Sequence, residues 1–210
     1  METTEKKYEL TEETIEFCNR TLYRIKALKD FGDVEVGDLG GYIESESNLM
    51  QEGCSWVYGN AMVYGSARVC DNAKVCDNAE VHANAKVYGD AKVCENAKVY
   101  GDAMVLGSAD VCGSANVYGS ANVYGSADVR GDAEIKGKTD YIVFKNWWSS
   151  GRYFTWTRSN NMWKVGCFYG TGKELVEKAY KDSELSGREY ERVVKYVESI
   201  LADEKKQRKQ

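Results

Sequence analysis

Residues 57–140 decide the fold of this chain, because they repeat every six residues as VYGNAM, VYGSAR, VCDNAK, VCDNAE, VHANAK, VYGDAK, VCENAK, VYGDAM, VLGSAD, VCGSAN, VYGSAN, VYGSAD, VRGDAE and IKGKTD. The first position of these 14 units is Val in 13 and Ile135 in the last. The fifth position is Ala in 13 and Thr139 in the last. A period this short predicts a solenoid, in which no unit folds alone and each stacks on its neighbours.

The two apolar positions predict how each unit bends. Valine favours a strand with its side chain pointing inward, and alanine is small enough to lie beneath a tight corner. Three strands and three corners close a triangular turn of 18 residues, and successive turns stack at about 4.8 Å. The predicted fold class is therefore mainly β, a left-handed parallel β-helix in the form of a triangular prism of 14 hexapeptide units.

The corners of the prism are predicted to need a left-handed backbone. The third position of the unit is Gly in ten of the 14 units. In the other four units the next residue is Asn, at Asn72, Asn78, Asn84 and Asn96. Because Gly and Asn tolerate positive φ at the lowest cost, we predict that either residue can supply the left-handed position.

The segments on either side of the repeat predict two further parts. Within residues 8–30 apolar and polar positions alternate on both sides of a turn, which predicts a β-hairpin. Residues 1–56 are therefore predicted to cap the first turn of the β-helix (57–140). Residues 141–210 predict a small α+β domain of three strands and two amphipathic helices. Four of the five tryptophans fall in this C-terminal domain.

Composition and charge exclude several classes of function. The chain has 28 Lys and Arg against 33 Asp and Glu, which argues against duplex nucleic acid as a partner. No apolar run is long enough for a membrane span, and the first residues are polar, so we expect a cytoplasmic protein without a membrane partner. The seven cysteines are odd in number and lack a CxxC pair, which argues against a disulfide framework and a zinc site.

Side chains 18 residues apart are expected to form columns on the outside of the prism. One column contains Tyr64, His82, Tyr100 and Tyr118, and such an exposed aromatic row predicts a subunit interface or a ligand-binding face. Another column contains three cysteines. We predict no metal site there, because a straight column does not converge on one point.

Two groups of residues are candidates for chemistry. His82 is the single histidine, so it is either a general base or a surface residue in a tyrosine position. Further candidates for binding an anionic or planar ligand lie in the C-terminal domain: Arg152, Arg158, Lys164, Gly170, Gly172 and Lys173. The aromatic, basic stretch around the first three either stacks a planar ligand or forms a core. The GTGK segment is either a helix N-terminal anion site or an ordinary turn capped by Thr171.

The hexads resemble those of bacterial hexapeptide-repeat transferases, and the GDLGGYIESESNL segment at residues 37–49 resembles uncharacterised transferase-like proteins of enteric bacteria and phages. This resemblance covers about residues 20–140. It implies homotrimers with ligand sites between neighbouring prisms. It also implies transfer of an acyl group from acyl-CoA or acyl-carrier protein, with a histidine as base.

Three functional hypotheses follow. The first is a non-catalytic trimeric β-helix that binds a small anionic ligand of nucleotide type, or a protein partner, without a cofactor. If the protein is phage-encoded, the role would be sequestration of such a ligand. The second is an acyltransferase that uses acyl-CoA as substrate and His82 as general base. The third is a purely structural assembly module. The uninterrupted run of repeats favours the non-catalytic readings.

Overall fold

The computed structural model describes residues 5–207, so the ends of the predicted outer segments, residues 1–4 and 208–210, lie outside the described residues. The chain begins with an antiparallel hairpin of β1 (Tyr8–Phe17) and β2 (Arg20–Ala27), followed by β3 (Leu39–Ile43). Cys18 and Asn19 both have positive φ between β1 and β2, as expected for a two-residue hairpin turn. A short 3-10 helix, Glu46–Asn48, leads into the repeat.

The repeat forms a β-solenoid of two-residue strands, each made of an outward residue and the inward Val or Ile. In chain order, β4 to β17 are Trp56–Val57, Met62–Val63, Arg68–Val69, Lys74–Val75, Glu80–Val81, Lys86–Val87, Lys92–Val93, Lys98–Val99, Met104–Val105, Asp110–Val111, Asn116–Val117, Asn122–Val123, Asp128–Val129 and Glu134–Ile135. All of them pair in parallel with strands one turn away. Val93, for example, pairs with Val75 and Val111.

The parallel pairing builds three faces and about five turns. Face A has the strand order β1-β2-β3-β5-β8-β11-β14-β17, face B has β4-β7-β10-β13-β16, and face C has β6-β9-β12-β15. Since each strand pairs with the strands three repeats away, the predicted turn of three hexads and the columns 18 residues apart are confirmed. The left hand of the coil stays a prediction.

The core of the solenoid is a stack of valines and alanines. The first and fifth positions of the units are at most 1% exposed throughout residues 57–135. A buried valine contributes roughly 1.5–3 kcal/mol, against about 1–2 kcal/mol of backbone entropy for each ordered residue. Each turn therefore depends on the turns above and below it.

At every corner that lacks glycine, the left-handed residue differs from the prediction. Asp71, Asp77, Ala83 and Glu95 themselves have φ of 59°, 62°, 59° and 60°, and the asparagines that follow them do not. The expectation that Asn substitutes for Gly was wrong, because in each of the first 13 units the third position is the left-handed one. Two corners offset this strain, since the Asp71 and Asp77 carboxylates accept hydrogen bonds from backbone N–H groups one turn above.

We expect Ala83→Gly to raise the free energy of unfolding by about 1 kcal/mol. The substitution removes the roughly 1–2 kcal/mol cost of a left-handed alanine, which exceeds the entropic loss of about 0.4–1 kcal/mol from a more flexible unfolded chain. Ala85→Gly, two residues away at a fully buried position, should destabilise the chain instead. Urea unfolding of both variants measures the difference, and a loss of stability in Ala83→Gly would contradict the assignment of strain.

Lys7 closes the base of the solenoid as a buried cation. Its side chain is 1% exposed, and its Nζ donates to the Ser55 carbonyl at 2.9 Å and lies 5.0 Å from the Phe31 ring. Burial lowers the pKa of Lys7 from 10.5 to about 8. The folded chain therefore releases this proton at a lower pH than the unfolded chain does.

The lowered pKa predicts a pH-dependent stability that Lys7→Met removes. Between pH 8 and 10.5 the unfolded chain binds more protons than the folded chain, so the contribution of Lys7 to stability rises with pH. The difference in unfolding free energy between wild type and Lys7→Met should change by about 2 kcal/mol in favour of wild type from pH 8 to pH 10. Denaturant unfolding at both pH values measures it. A difference that is constant with pH would contradict a buried, charged Lys7.

The C-terminal domain covers the last turn. Its strands are β18 (Tyr141–Lys145), β19 (Tyr153–Thr157), β20 (Met162–Val165) and β21 (Phe168–Gly170), followed by α1 (Gly172–Asp182) and α2 (Glu184–Gln207). Where the sequence predicted three strands the structure has four, because Gly166 turns left-handed with φ 55° and divides the third. No helix of residues 5–207 has both the length and the apolar character that a membrane span requires.

Side-chain oxygens of the C-terminal domain satisfy the open edge of the solenoid. The backbone N–H of Asp128 donates to Thr155 Oγ1 at 2.9 Å, and that of Glu134 donates to Ser159 Oγ at 2.7 Å. The Tyr141 hydroxyl donates to the Asn122 carbonyl of β15 at 2.9 Å. Unpaired donors at a sheet edge invite association with other chains. The C-terminal domain therefore ends the stack through contacts to the last strand of each of the three faces.

Candidate functional site

The predicted aromatic column lies on face A as one continuous stack. The ring centroids of Tyr64 and His82 are 4.8 Å apart, those of His82 and Tyr100 5.1 Å, and those of Tyr100 and Tyr118 5.3 Å, with the rings within 6° of parallel. The parallel register of face A produces this arrangement, because equivalent side chains leave consecutive strands in the same direction. Phe17 of the hairpin packs edge-on against Tyr64 and buries it.

His82 has the protonation state of a base but lacks a partner to orient it. Burial lowers its pKa, so the imidazole is neutral at pH 7. Both faces of the ring are covered by tyrosines, and within residues 5–207 no hydrogen bond to either ring nitrogen is found. The nearby Glu80 carboxylate accepts from the Tyr64 hydroxyl at 3.3 Å and pairs with Lys98 at 2.8 Å. The arrangement favours a stacking role for His82.

Arg158 is held inside the C-terminal domain. Its guanidinium donates to both carboxylate oxygens of Glu204 at 2.7 and 3.1 Å. Its Nε donates to the Thr139 carbonyl at 2.9 Å, and the group lies 5.6 Å from the Trp156 ring. A two-point pair of this kind joins the end of the solenoid to α2, and it leaves little of the guanidinium for a ligand.

The N-terminus of α1, where Gly170, Gly172 and Lys173 lie, is occupied by a side chain of the helix itself. The Glu174 carboxylate accepts from the Thr171 backbone N–H and hydroxyl, each at 2.8 Å, and Thr171 Oγ1 accepts in turn from the Glu174 N–H. This is a capping box. Its carboxylate stands where an anionic ligand would bind, so the geometry favours the ordinary capped turn.

Arg152 and Lys164 come together where the C-terminal domain meets the solenoid. They line a cavity of about 200 Å³ together with Tyr153 and with solenoid residues Ser108, Asp110, Ser126 and Asp128. Lys164 Nζ lies 3.7 Å from the Asp128 carboxylate. Within the described part of the chain, no ion pair of the exposed Arg152 guanidinium is found, so its charge is available to a ligand.

A second cavity of about 330 Å³ adjoins the first and shares Ser126 and Tyr153 with it. Its other lining residues are Tyr124, Gly125, Lys138, Tyr141 and Val143. We call the two cavities together the junction groove. Its rings are open to solvent, since Tyr124 is 60% and Tyr153 40% exposed. The Lys145 ammonium lies 5.8 Å from the Tyr153 ring, and Lys138 is exposed and lines the groove.

The charges of the groove are unequally compensated. Asp128 pairs with Arg130 at 2.6 Å as well as with Lys164. Asp110 is half-buried, and burial together with the neighbouring Asp128 raises its pKa. Two cations therefore compensate the Asp128 carboxylate, whereas within residues 5–207 no ion pair of Arg152 is found. The Arg152 guanidinium is the group of the groove that could bind an anion.

The sequence argued against a disulfide framework, but the structure contains one disulfide. Cys94 and Cys112 form a disulfide between consecutive turns of face B. The sulfurs of Cys76 and Cys94 and a carboxylate oxygen of Asp77 lie within 4.8 Å of one another. The prediction erred because it took the odd number and absent CxxC spacing as decisive, although the parallel stack places cysteines 18 residues apart at bonding distance.

Two comparisons with known proteins bear on the repeat. The model of the YdcK β-solenoid repeat matches residues 57–71. The matched residues are the first two hexads and the start of the third. The uncharacterised acetyltransferase YdcK of Escherichia coli strain K12 is 41% identical over 61 aligned positions, which cover 25% of this chain and 19% of that protein. The predicted resemblance to hexapeptide-repeat transferase-like proteins is confirmed, and this chain spans about a fifth of that relative's length.

Sequence reasoning missed three residues of the junction groove. Tyr124 stands at the second position of its unit like the other tyrosines of the repeat, and Lys138 and Tyr153 have ordinary neighbours in sequence. A signal existed in the outward column of face C, which consists of Cys70, Tyr88, Leu106 and Tyr124. Tyr124 is the last residue of this column before the C-terminal domain. The groove itself depends on where β19 docks, which no local pattern reveals.

Proposed function

We propose that the protein is a β-solenoid binding module whose junction groove takes a small anionic ligand with a planar ring, of the nucleotide class. One observation carries the proposal: two exposed tyrosine rings line the same groove as an unpaired arginine. Planar rings stack on tyrosine at about 1–3 kcal/mol per base, and a guanidinium binds a phosphate through two hydrogen bonds. The larger cavity falls within the size range of small-molecule sites.

Binding of nucleoside monophosphates tests this function. Titration calorimetry with AMP and GMP should show binding, whereas inorganic phosphate, which lacks the ring, should bind far more weakly. Tyr153→Ala should weaken nucleotide binding by about 10- to 100-fold, the equivalent of one lost stacking contact. Tyr196→Ala removes a 56% exposed tyrosine of α2 outside the groove and serves as the matched control. Absence of nucleotide binding, or equal affinities in the two variants, would reject the proposal.

The arginine provides a second, independent readout. Arg152→Ala should reduce affinity and also flatten its dependence on salt, because one cation fewer meets the phosphate. Lys181→Ala, an exposed cation near the end of α1, should leave both unchanged. Sequestration of such a nucleotide, the role expected if the chain is phage-encoded, requires that binding is not followed by turnover.

A second candidate function is acetyl transfer. The name of the acetyltransferase YdcK suggests it, and the lowered pKa of His82 supports a neutral base. Acetyl-CoA with a panel of amines and sugars should then release CoA, and His82→Gln should abolish the release. Release that persists in His82→Gln would reject His82 as the base. Absence of release in wild type would remove acetyl transfer and leave the binding module.

We further propose that the chain forms a homotrimer through face A. The half-buried rings of His82, Tyr100 and Tyr118 form a flat aromatic strip, and such strips are typical of interfaces. Native mass spectrometry should give three times 23.6 kDa, and Tyr100→Glu should give the single-chain mass. A wild-type protein of single-chain mass would contradict the trimer. It would also count against the hypothesis of a purely structural assembly module, because that hypothesis requires assembly.

A further inference from the structure

Three cysteines occupy one column in consecutive turns of face B. Cys76, Cys94 and Cys112 each follow the inward valine of β7, β10 and β13, and the parallel pairing places them directly above one another. Cys94 and Cys112 are joined, with their Cα atoms 4.7 Å apart. Since the register between β7 and β10 is the same, Cys94 has a second cysteine at the equivalent position below it.

The three sulfurs differ in their access to solvent. Cys94 is 5% and Cys112 2% exposed, so a reagent in solution cannot readily attack the disulfide. Cys76 is a free thiol that is partly exposed, and its sulfur lies within 4.8 Å of the Cys94 sulfur. A thiol reagent therefore meets Cys76 before it meets the disulfide.

We propose that Cys76, Cys94 and Cys112 form a thiol–disulfide exchange site in which Cys76 connects the buried disulfide to low-molecular-weight thiols and disulfides in solution. Cys94 is the shared partner, and the disulfide moves by one turn of the solenoid. A Cys76–Cys112 bond is excluded, because two turns separate these residues by about 9.6 Å, beyond the reach of a disulfide.

The exchange balances as an ordinary sequence of thiol–disulfide steps. The Cys76 thiolate attacks the Cys94 sulfur, the Cys94–Cys112 bond breaks, and Cys112 takes up the proton. An external thiol then attacks the Cys76 sulfur, which forms a mixed disulfide and releases the Cys94 thiol. A second external thiol displaces Cys76. Two external thiols are oxidised to one disulfide, and Cys94 and Cys112 are reduced.

The surroundings of Cys76 set the speed of this exchange. Burial raises the pKa of the Cys76 thiol to about 11, while the nearby Lys92 favours the thiolate. Only a small fraction of the Cys76 thiol is thiolate at neutral pH, so the thiol–disulfide exchange is slow. In a reducing cytoplasm, the compartment that the sequence predicts, a disulfide that can be reached in this way would respond to the redox state.

The kinetics of reduction test the role of Cys76. Native protein is treated with reduced glutathione, and free thiols are alkylated and mapped by mass spectrometry at successive times. Cys94 and Cys112 should become free in wild type and in Cys70→Ser, which removes a comparable half-buried thiol on face C. In Cys76→Ser the same reduction should be at least tenfold slower. Equal rates in Cys76→Ser and wild type, or a disulfide that stays intact in wild type, would overturn the proposal.

Oxidation of two further variants tests the shared partner. Glutathione disulfide added to reduced Cys112→Ser should produce a Cys76–Cys94 disulfide, because the remaining pair has the same register. Reduced Cys94→Ser should form no disulfide between Cys76 and Cys112. Failure of the first bond to form, or appearance of the second, would show that the column does not exchange as proposed. These measurements involve neither the junction groove nor His82, so their result is independent of the ligand.

Discussion

Gly113→Ala is expected to lower the free energy of unfolding by about 3 kcal/mol, whereas Gly125→Ala should lower it by only about 1 kcal/mol. Both glycines are left-handed corners, with φ of 78° and 70°, and an alanine there costs roughly 1–2 kcal/mol. A Cβ on Gly113 would lie 2.7 Å from the backbone nitrogen and 2.8 Å from the carbonyl oxygen of Gly131 in the next turn. A Cβ on Gly125 meets nothing within 4 Å.

The additional cost at Gly113 comes from moving backbone, not a side chain. Overpacking of this kind typically costs 1–3 kcal/mol. Asp77 and Glu95 occupy the lower corners of the same column, which shows that the spacing between turns can open to admit a Cβ. We therefore expect Gly113→Ala to fold with reduced stability. Urea unfolding followed by circular dichroism measures both variants, and equal losses would show that the turns are less closely stacked than the structure indicates.

The corners show where the sequence is informative and where it is not. The six-residue period predicted the turn of three repeats, because inward Val and Ala admit no other register. It could not tell which of two adjacent residues is left-handed, since Gly at the third position and Asn at the fourth have similar conformational freedom. The structure places the strain on Ala83 and its equivalents, and this follows from the backbone path that the first 13 units share.

The candidate site was less predictable than the fold. The stacked column of Tyr64, His82 and Tyr100 follows from the period alone, as does the proximity of equivalent cysteines. The junction groove requires Tyr153 of one segment to lie beside Tyr124 of another, and only the docking of β19 on β16 brings them together. Arg152 and Lys164 were identified as basic residues in an aromatic stretch, but their solenoid partners, such as Asp128, carry no sequence signal.

Substitution of one inward valine by aspartate should lower the free energy of unfolding more than any of the corner substitutions does. Val87 is fully buried on face C, between Val69 and Val105 of the adjacent turns. Val87→Asp loses the buried apolar side chain and places an unpaired carboxyl group among apolar neighbours, at a combined cost of roughly 5 kcal/mol or more even when the carboxyl is protonated. This is comparable with the total stability of many domains.

The pH dependence of Val87→Asp separates burial of the charge from loss of packing. Burial raises the pKa of the new carboxyl in the folded chain, so the folded state binds more protons than the unfolded state above pH 4, and stability should rise as pH falls. Relative to wild type, the loss of unfolding free energy should become smaller by up to about 1.4 kcal/mol per pH unit between pH 7 and pH 4.

Lys86→Asp is the control variant and changes the preceding, exposed residue of the same strand. Its new carboxylate lies beside Arg68, and it should alter stability by less than about 0.5 kcal/mol at either pH. Thermal unfolding of both variants at the two pH values makes the comparison. If Val87→Asp were as stable as Lys86→Asp, the side chain at 87 would face solvent, and the assignment of inward and outward columns, on which the cysteine exchange and the aromatic strip both depend, would fail.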